Sequence, residues 1–258
     1  MPVRANPPVG APIWVDLMSS DPERSKAFYG GLLGWGADDP NPDFGGYTNL
    51  TKDGDRVAGL MQAQEGDPAD IWSVYLNVAD AAATTQAATD AGATVIVDPL
   101  PIGDLGTMAV VLDPGGAATG MWQPGEHRGG LVATAGAPCH FELHTTAYDA
   151  VLPFYEKVFG WHLETESDTP EFRYSIFPVA EGEHAAVMDE SPHQAEGEPS
   201  YWAIYFAVDD MDATLAKVPE LGGKVEMGPD DTPYGVLAVA TDATGARFSL
   251  RSGSGSGG

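Results

Sequence analysis

The stretch KAFYGGLLGW (Lys26–Trp35) returns later in the chain as PFYEKVFGW (Pro153–Trp161), with the same Phe-Tyr pair and the same Gly-Trp ending. Further matches follow in the same order and at nearly constant spacing. WSVYLNVADAAAT (Trp72–Thr84) corresponds to WAIYFAVDDMDAT (Trp202–Thr214). Ordered internal similarity of this kind indicates a tandem duplication. The sequence therefore predicts two copies of one fold.

The composition of the connecting segments predicts where the two copies begin and end. A proline-rich N-terminal arm covers residues 1–10, and the two predicted domains cover 11–124 and 136–251. A polar, glycine-bearing linker at 125–135 joins them. The Gly/Ser-rich end, 252–258, is predicted to be a flexible tail of the kind added during cloning.

The first unit of the first copy shows clear helix signals. Ile13–Met18 has the pattern of a strand, and Ser20 or Asp21 can cap a helix whose first residue is Pro22. Gly34 is a typical C-terminal stop.

The second unit repeats this plan. We predict a helix at Ala81–Ala91 and strands at Thr94–Val97, Met108–Leu112 and Ala118–Trp122. Each copy is thus a pair of βαβββ units, and one unit must cover the other's sheet face. The expected fold class is α+β, with a curved sheet around a cleft in each domain.

Charge and composition restrict the possible partners. The 258-residue chain carries a formal net charge of −26, from 38 acidic residues against 12 Lys and Arg. Nucleic acids and anionic membranes attract clustered positive charge, so we expect neither as a partner; a cationic ligand is mildly favoured. The single cysteine, Cys139, excludes an internal disulfide. Without a signal peptide or a long apolar run, we expect a cytoplasmic protein.

The four units, with their FY…GW motifs and LDPGGAATGMW at Leu112–Trp122, resemble the vicinal oxygen chelate superfamily. This superfamily includes glyoxalase I, extradiol dioxygenases and bleomycin-binding proteins. In particular, the chain resembles two-domain glyoxalase-like proteins of actinobacteria, over about residues 11–251. The resemblance implies a small-molecule cleft, usually with a divalent metal held by a His, a second His or a Gln, and a Glu. It does not imply one activity, because the fold hosts several.

The resemblance also implies where the metal ligands would lie in this sequence. In the first half the corresponding positions are Trp14, Ser73 and Gly120, and none of these side chains suits a metal. In the second half they are His140, Ala203 and Ser249. The first half is therefore expected to lack a metal, and the second half to keep a fragment of the site.

The strand CHFELH (Cys139–His144) places His140, Glu142 and His144 on one face. These three are the candidate catalytic residues, and His140 and Glu142 are also weak candidates for metal ligands. We expect no cofactor; the alternative is a divalent metal, Zn, Mn, Fe or Ni. The opposing interpretation is that these side chains are polar walls held by hydrogen bonds.

The same alternation predicts the walls of a ligand-binding cleft. The predicted ligand-binding residues are Trp14, Asp16, Met18, Met61, Ser73, Tyr75, Asn77 and Trp122 in the first half, and Tyr205 and Arg247 in the second. Apolar and aromatic walls with a few polar groups are typical of small-molecule sites. The alternative is that the large side chains only fill the barrel. The aromatic residues of the two FY…GW motifs are assigned to the helix–sheet core.

Three functions fit these features. The first is a binding protein, without a metal, for an aromatic or cationic metabolite or antibiotic, acting in resistance or natural-product tailoring. The second is a metal-dependent glyoxalase-like lyase or oxygenase that uses a site around His140 and Glu142. The third is a metal-free enzyme acting on a natural product. Because the tandem fusion can replace the pairing of single domains, we expect a monomer.

Overall fold

The computed structural model describes residues 5–180, 183–194 and 199–253. Residues 1–4 of the predicted arm and 254–258 of the predicted tail lie outside these ranges.

The first half contains two units in the predicted order. Its elements are β1 (Pro12–Ser19), α1 (Pro22–Leu33), β2 (Gly36–Ala37), β3 (Thr48–Lys52), β4 (Asp55–Gln62), β5 (Ile71–Asn77), α2 (Ala81–Asp90), β6 (Thr94–Ile102), β7 (Gly106–Leu112) and β8 (Ala118–Pro124). A short 3₁₀ helix at Pro42–Phe44 lies between β2 and β3.

The second half repeats this series. Its elements are β9 (Pro138–Thr145), α3 (Tyr148–Phe159), β10 (Glu164–Asp168), β11 (Arg173–Ala180), β12 (Glu183–Asp189), β13 (Tyr201–Val208), α4 (Met211–Glu220), β14 (Lys224–Thr232), β15 (Gly235–Thr241) and β16 (Arg247–Ser252).

Each half forms one eight-stranded sheet. The strand order is β2-β3-β4-β1-β5-β8-β7-β6 in the first half and β10-β11-β12-β9-β13-β16-β15-β14 in the second. The two units of a half join through antiparallel pairing of their first strands, β1 with β5 and β9 with β13. The predicted α+β fold, with a pair of βαβββ units in each half, is confirmed.

The helix signals read from the sequence act as expected. Asp21 accepts a hydrogen bond from the Arg24 backbone N–H, and Pro22 occupies the first turn of α1. Gly34 ends the helix with φ of 74°, and Gly160 ends α3 in the same left-handed conformation. Glycine adopts this conformation without the steric cost of a Cβ atom.

Strand β6 is longer than predicted. The sequence suggested an end at Val97, because Pro99 and Pro101 follow, yet the strand continues to Ile102. It lies at the edge of its sheet, where a proline costs no ladder hydrogen bond on the open side.

The repeated aromatic motifs hold the two halves together. The Tyr155 hydroxyl donates to Asp113 Oδ2 (2.9 Å), in the turn before β8, and also hydrogen-bonds Thr119 Oγ1 (2.8 Å). Asp113 Oδ1 accepts from two backbone N–H groups of its own turn, those of Gly115 and Ala117. A side chain of the second half thus completes a turn of the first half.

The two motif tryptophans make reciprocal contacts. Trp35 Nε1 donates to the Gly136 carbonyl (2.6 Å), just before the second sheet, and Trp161 Nε1 donates to the Gly10 carbonyl (2.8 Å), just before the first. Tyr29 packs against Phe206 and Phe248 of the other half. The predicted core assignment of these rings is correct, and the core they form spans both halves.

We expect Tyr155→Phe to lower the free energy of unfolding by about 1–3 kcal/mol, because the buried Asp113 carboxylate loses a hydrogen-bond donor. Urea unfolding at pH 7 measures the change. Tyr234→Phe is the matched control, since Tyr234 is 42% exposed, and it should have almost no effect. Equal effects of the two substitutions would contradict this role for Tyr155.

Candidate functional site

Strand β9 carries three polar side chains on one face of the second sheet. His140, Glu142 and His144 are all buried, while the alternate residues Phe141 and Leu143 belong to the hydrophobic core. The predicted alternation is therefore observed, and the three candidate catalytic residues lie together. His140 Nδ1 is buried with no hydrogen-bond partner among the described residues.

Glu142 is the centre of this group. Its Oε2 accepts a hydrogen bond from the Tyr174 hydroxyl (2.7 Å) and lies 3.3 Å from His140 Nε2. Its Oε1 accepts from the Tyr205 hydroxyl (3.0 Å) and lies 2.8 Å from His144 Nε2. Burial would raise the pKa of Glu142, but the hydrogen bonds and charges of the two histidines hold it well below its usual range.

His144 lies between two carboxylates. Its Nε2 faces Glu142, its Nδ1 hydrogen-bonds Glu190, and the Tyr201 ring stacks on its imidazole with centroids 4.7 Å apart. Burial would lower the pKa of His144, but the two carboxylates outweigh this effect and raise the pKa to about 9. The Glu142–His144–Glu190 row thus contains a charged imidazolium at neutral pH.

Aromatic rings surround this ionised row. Phe172 stacks on Tyr174 (centroids 5.5 Å), and Tyr234, which is largely exposed, lies 6.0 Å from Tyr174. The Arg247 guanidinium lies 5.2 Å from the centroid of the Tyr201 ring and donates to its hydroxyl (2.7 Å). We call Phe172, Tyr201 and Tyr234 the aromatic rim, since each keeps part of its ring accessible.

Sequence reasoning found part of this site. It identified Tyr205 and Arg247 but missed Tyr174, Glu190 and the aromatic rim. One signal was available for Tyr201, which lies four positions before Tyr205 and so shares its strand face. No local pattern marks Glu190, because it approaches His144 only through the pairing of β12 with β9.

The first half has a matching carboxylate. Asp16 Oδ1 accepts hydrogen bonds from the Tyr47 hydroxyl (2.5 Å) and from Trp14 Nε1 (2.8 Å). Tyr75 also hydrogen-bonds Asp16. The strand registers place Asp16, Tyr47 and Tyr75 where the second half has Glu142, Tyr174 and Tyr205.

The two carboxylates differ in charge state. Burial raises the pKa of Asp16 to about 6, and the hydrogen bonds from Tyr47, Trp14 and Tyr75 oppose the shift only in part. Glu142 has two imidazole partners in addition to its tyrosines.

Three of the eight residues predicted to line the cleft of the first half are packed against one another. Trp14, Tyr75 and Trp122 form a buried cluster with Ile13, and partly buried apolar residues close it: Ile102, Leu105 and Met108. These three aromatic residues therefore lie in the interior of the first half, and their role in ligand binding stays a prediction.

The other residues predicted to line this cleft lie either among the central strands of the sheet or against the N-terminal arm. Met18 and Met61 are half-buried neighbours on adjacent strands, and Ser73 pairs with Asp16. The Asn77 side chain donates to the Pro7 carbonyl (2.6 Å), so its amide ties the N-terminal arm to the sheet.

The residues present at the expected ligand positions do not fit a divalent metal. Two of the expected positions were wrong, because the register places Tyr75, and not Ser73, between Trp14 and Gly120, while Ser73 and Ala203 pair with Asp16 and Glu142. The row of Trp14, Tyr75 and Gly120 offers no imidazole or carboxylate to a metal. The equivalent row in the second half has His140 and Ser249 around Tyr205.

Glu142, the other weak metal candidate, has both oxygens engaged by two phenols and two imidazoles. Within the described ranges, no group of three His, Cys, Asp or Glu side chains is arranged to hold a metal ion.

Comparison with known proteins identifies relatives of both halves. The model of the Glyoxalase/Bleomycin resistance protein/Dioxygenase superfamily matches residues 12–119 and 138–250. The chain is 38% identical to "Putative glyoxylase CFP32" of Mycobacterium tuberculosis, covering 97% of each chain. It is 37% identical to "Anthracycline biosynthesis protein DnrV" of Streptomyces peucetius, covering 93% of this chain and 92% of that protein.

Solved structures share the fold. The 2,3-dioxygenase LapB from Pseudomonas sp. KL28 superposes with a TM-score of 0.65 at 17% identity, over 97% of this chain and 94% of that one. The Mn(II)-bound glyoxalase from Novosphingobium aromaticivorans gives the same TM-score and identity, over 95% of this chain and 82% of that one. In the described part of the chain, no helix is long and apolar enough to cross a membrane.

The ionised row predicts a pH-dependent stability. Because the folded-state pKa of His144 is raised from 6.5 to about 9, its contribution is complete below pH 6.5 and is lost as pH rises through 9. The lowered pKa of Glu142 makes its contribution available above pH 4.5. His144→Gln should therefore destabilise the protein more at pH 6 than at pH 9.5, by about 3 kcal/mol.

Urea unfolding at the two pH values measures this difference. His162→Gln is the control, since His162 is exposed in the same half. A loss of stability in His144→Gln that is the same at both pH values would show that the imidazole acts through packing alone.

Asp16 should titrate with a midpoint near pH 6 in the folded protein, because its ionised form is poorly solvated. Asp16 and Glu142 therefore change the stability of the protein with pH in opposite directions. The stability that protonated Asp16 contributes is present below pH 3.8 and is lost as pH rises through 6. Carboxyl ¹³C NMR, assigned with Asp16→Asn, measures the midpoint. A midpoint near 4 would contradict the burial of this carboxyl group.

Proposed function

We propose that this chain, which belongs to the Glyoxalase/Bleomycin resistance protein/Dioxygenase superfamily, binds a small molecule on the concave face of its second half. The fold of this superfamily serves several chemistries, so the proposal rests on the site itself. Its ligand is a planar aromatic metabolite with a basic group, and binding needs no metal. The observation that carries the proposal is the aromatic rim of Phe172, Tyr201 and Tyr234 beside the Glu142–His144–Glu190 row.

The rim suits a flat ring system. The faces of Tyr201 and His144 are already parallel, within 10°, and Phe172 and Tyr174 form a second stack within 15°. Parallel rings provide surfaces on which a planar ligand can continue the stacking. Each aromatic pair contributes about 0.5–1.5 kcal/mol beyond the area it buries.

The charge of the site favours a cation. The row contains two carboxylates and one imidazolium, so its net charge is −1 when the neighbouring His140, 3.3 Å from Glu142, is neutral. Arg247 does not neutralise it, since its guanidinium pairs with Glu226 (3.2 Å). The net charge of −26 further raises the local concentration of cations.

The relatives support a role on natural products. Two of them, DnrV and DauV, are named as anthracycline biosynthesis proteins, and at 36–37% identity they align with 93% of this chain. Anthracyclines are planar fused-ring molecules, and many carry an amino sugar, so they combine the two properties that the site favours. The proposed setting is therefore natural-product tailoring or resistance, with the chain acting as a monomer.

A second candidate is a metal-free enzyme acting on the same class of molecule. The observation that favours it is the row itself, because a His between two carboxylates can hold and move a proton. Incubation of a polyketide with the protein, followed by mass spectrometry, distinguishes conversion from simple binding. A metal-dependent glyoxalase-like lyase is less well supported by the donor groups at the ligand positions, although one relative, CFP32, is named a putative glyoxylase.

The proposal predicts that Tyr234→Ala weakens binding of a fluorescent anthracycline amino-glycoside about tenfold, because a stacking surface is lost. Fluorescence titration gives the dissociation constant. Phe44→Ala is the matched control, a half-buried ring in the first half, and it should leave the affinity unchanged.

A metal test separates the alternatives. Dialysis against EDTA should leave the anthracycline affinity unchanged. If binding disappears and returns with Zn²⁺, Mn²⁺, Fe²⁺ or Ni²⁺, the metal-dependent function is correct and the proposal is wrong. An affinity that is equal in wild type and Tyr234→Ala would instead place the ligand elsewhere.

A further inference from the structure

The linker between the halves enters the interior of the first half. It was predicted to be a polar connection at 125–135, yet His127 within it is 8% exposed. The imidazole lies between two indoles: its centroid is 4.3 Å from that of Trp14 and 5.4 Å from that of Trp122, with edge-to-face angles of 85° and 71°. A ring from the linker thus occupies the predicted cleft of the first half.

Backbone hydrogen bonds fix this segment in place. The N–H groups of Gly125 and His127 both donate to the Leu105 carbonyl (2.9 and 3.0 Å), at the tip of the β6–β7 hairpin. Trp122 Nε1 donates to the His127 carbonyl (2.9 Å). Gly130 continues the path close to Trp14, where a Cβ atom would lie only 2.7 Å from the indole ring. The linker therefore covers the site as a strap, which we define as residues 125–131.

The histidine fits this site by shape but not by chemistry. Its Nε2 is buried and has no hydrogen-bond partner in the described part of the chain. The indole rings and the partly buried Leu105 around it are apolar, so the site offers no hydrogen-bond partner to the imidazole nitrogen. Burial, with the nearby positive charge of Arg56, lowers the pKa of His127 to about 4, so the ring is neutral at pH 7.

Unfilled space adjoins the same site. A small cavity beneath the strap is lined by Trp14, Ile13, Val57, Gly130 and Leu131, almost all of them apolar. This space is too small to hold a ring by itself, so a ring can enter only where the His127 side chain now lies.

We propose that His127 is a tethered occupant of a flat-ring site between Trp14 and Trp122, and that this site takes an apolar aromatic ring when the strap withdraws. The site is separate from the one proposed for the second half, and neither proposal depends on the other. A carbon-edged ring suits it better than imidazole, because it leaves no buried nitrogen without a partner.

The test uses the full chain with His127→Ala, and benzene and imidazole as probes at pH 8. We expect benzene to raise the melting temperature of His127→Ala and to shift its tryptophan emission to shorter wavelength. The affinity for benzene should be at least ten times that of wild type, in which the tethered ring competes, and at least ten times that for imidazole. His193→Ala, which removes an exposed histidine, should behave as wild type.

Equal benzene binding by wild type and His127→Ala would overturn the proposal. A second variant covers the case in which His127→Ala folds poorly. His127→Phe should melt at or above the wild-type temperature and bind no benzene, because a carbon ring then fills the site. A melting temperature clearly below that of wild type would show that the site requires the imidazole, and would also overturn the proposal.

Discussion

The mutual burial of aromatic side chains between the two halves is the contact on which the rest of the structure depends. One βαβββ pair leaves the outer face of its sheet uncovered. Here the FY…GW rings of each half lie against the other half, and their polar atoms bond its backbone and turns, as Tyr155 does with Asp113 and Trp35 with Gly136. The motif occurs twice because each copy completes the other. The fold therefore relies on this shared core, and the concave faces are free to diverge.

The two concave faces have diverged around a common element, a carboxylate held by two tyrosines. In the first half Asp16 receives an indole N–H from Trp14, and burial holds its pKa near neutrality. In the second half imidazoles flank Glu142, and these make the ionised state the stable one. The positions of Trp14 and Met18 in the first half correspond to those of His140 and His144 in the second, and the two imidazoles there lower the pKa of the carboxyl group. Because its side chains are ionised, the concave face of the second half is the one on which we place ligand binding.

Local signals predicted the fold well and the site only in part. Helix caps such as Asp21 and stops such as Gly34 depend on neighbouring residues, and the alternation in CHFELH follows from strand geometry alone. Glu190 joins the site through pairing with a distant strand, which no local pattern records. The buried strap was also missed. Its glycines and charges are typical of an exposed loop, and only the tertiary structure brings His127 between two tryptophans.

The side chains of the two concave faces are held by different interactions. In the first half, Trp14 and Trp122 fill the interior, and the strap covers them. In the second half, Glu142 is held by two phenols and two imidazoles. Packing in the first half and hydrogen bonding in the second thus hold these concave-face side chains in place, and the scaffold presents aromatic groups on one face and charged groups on the other.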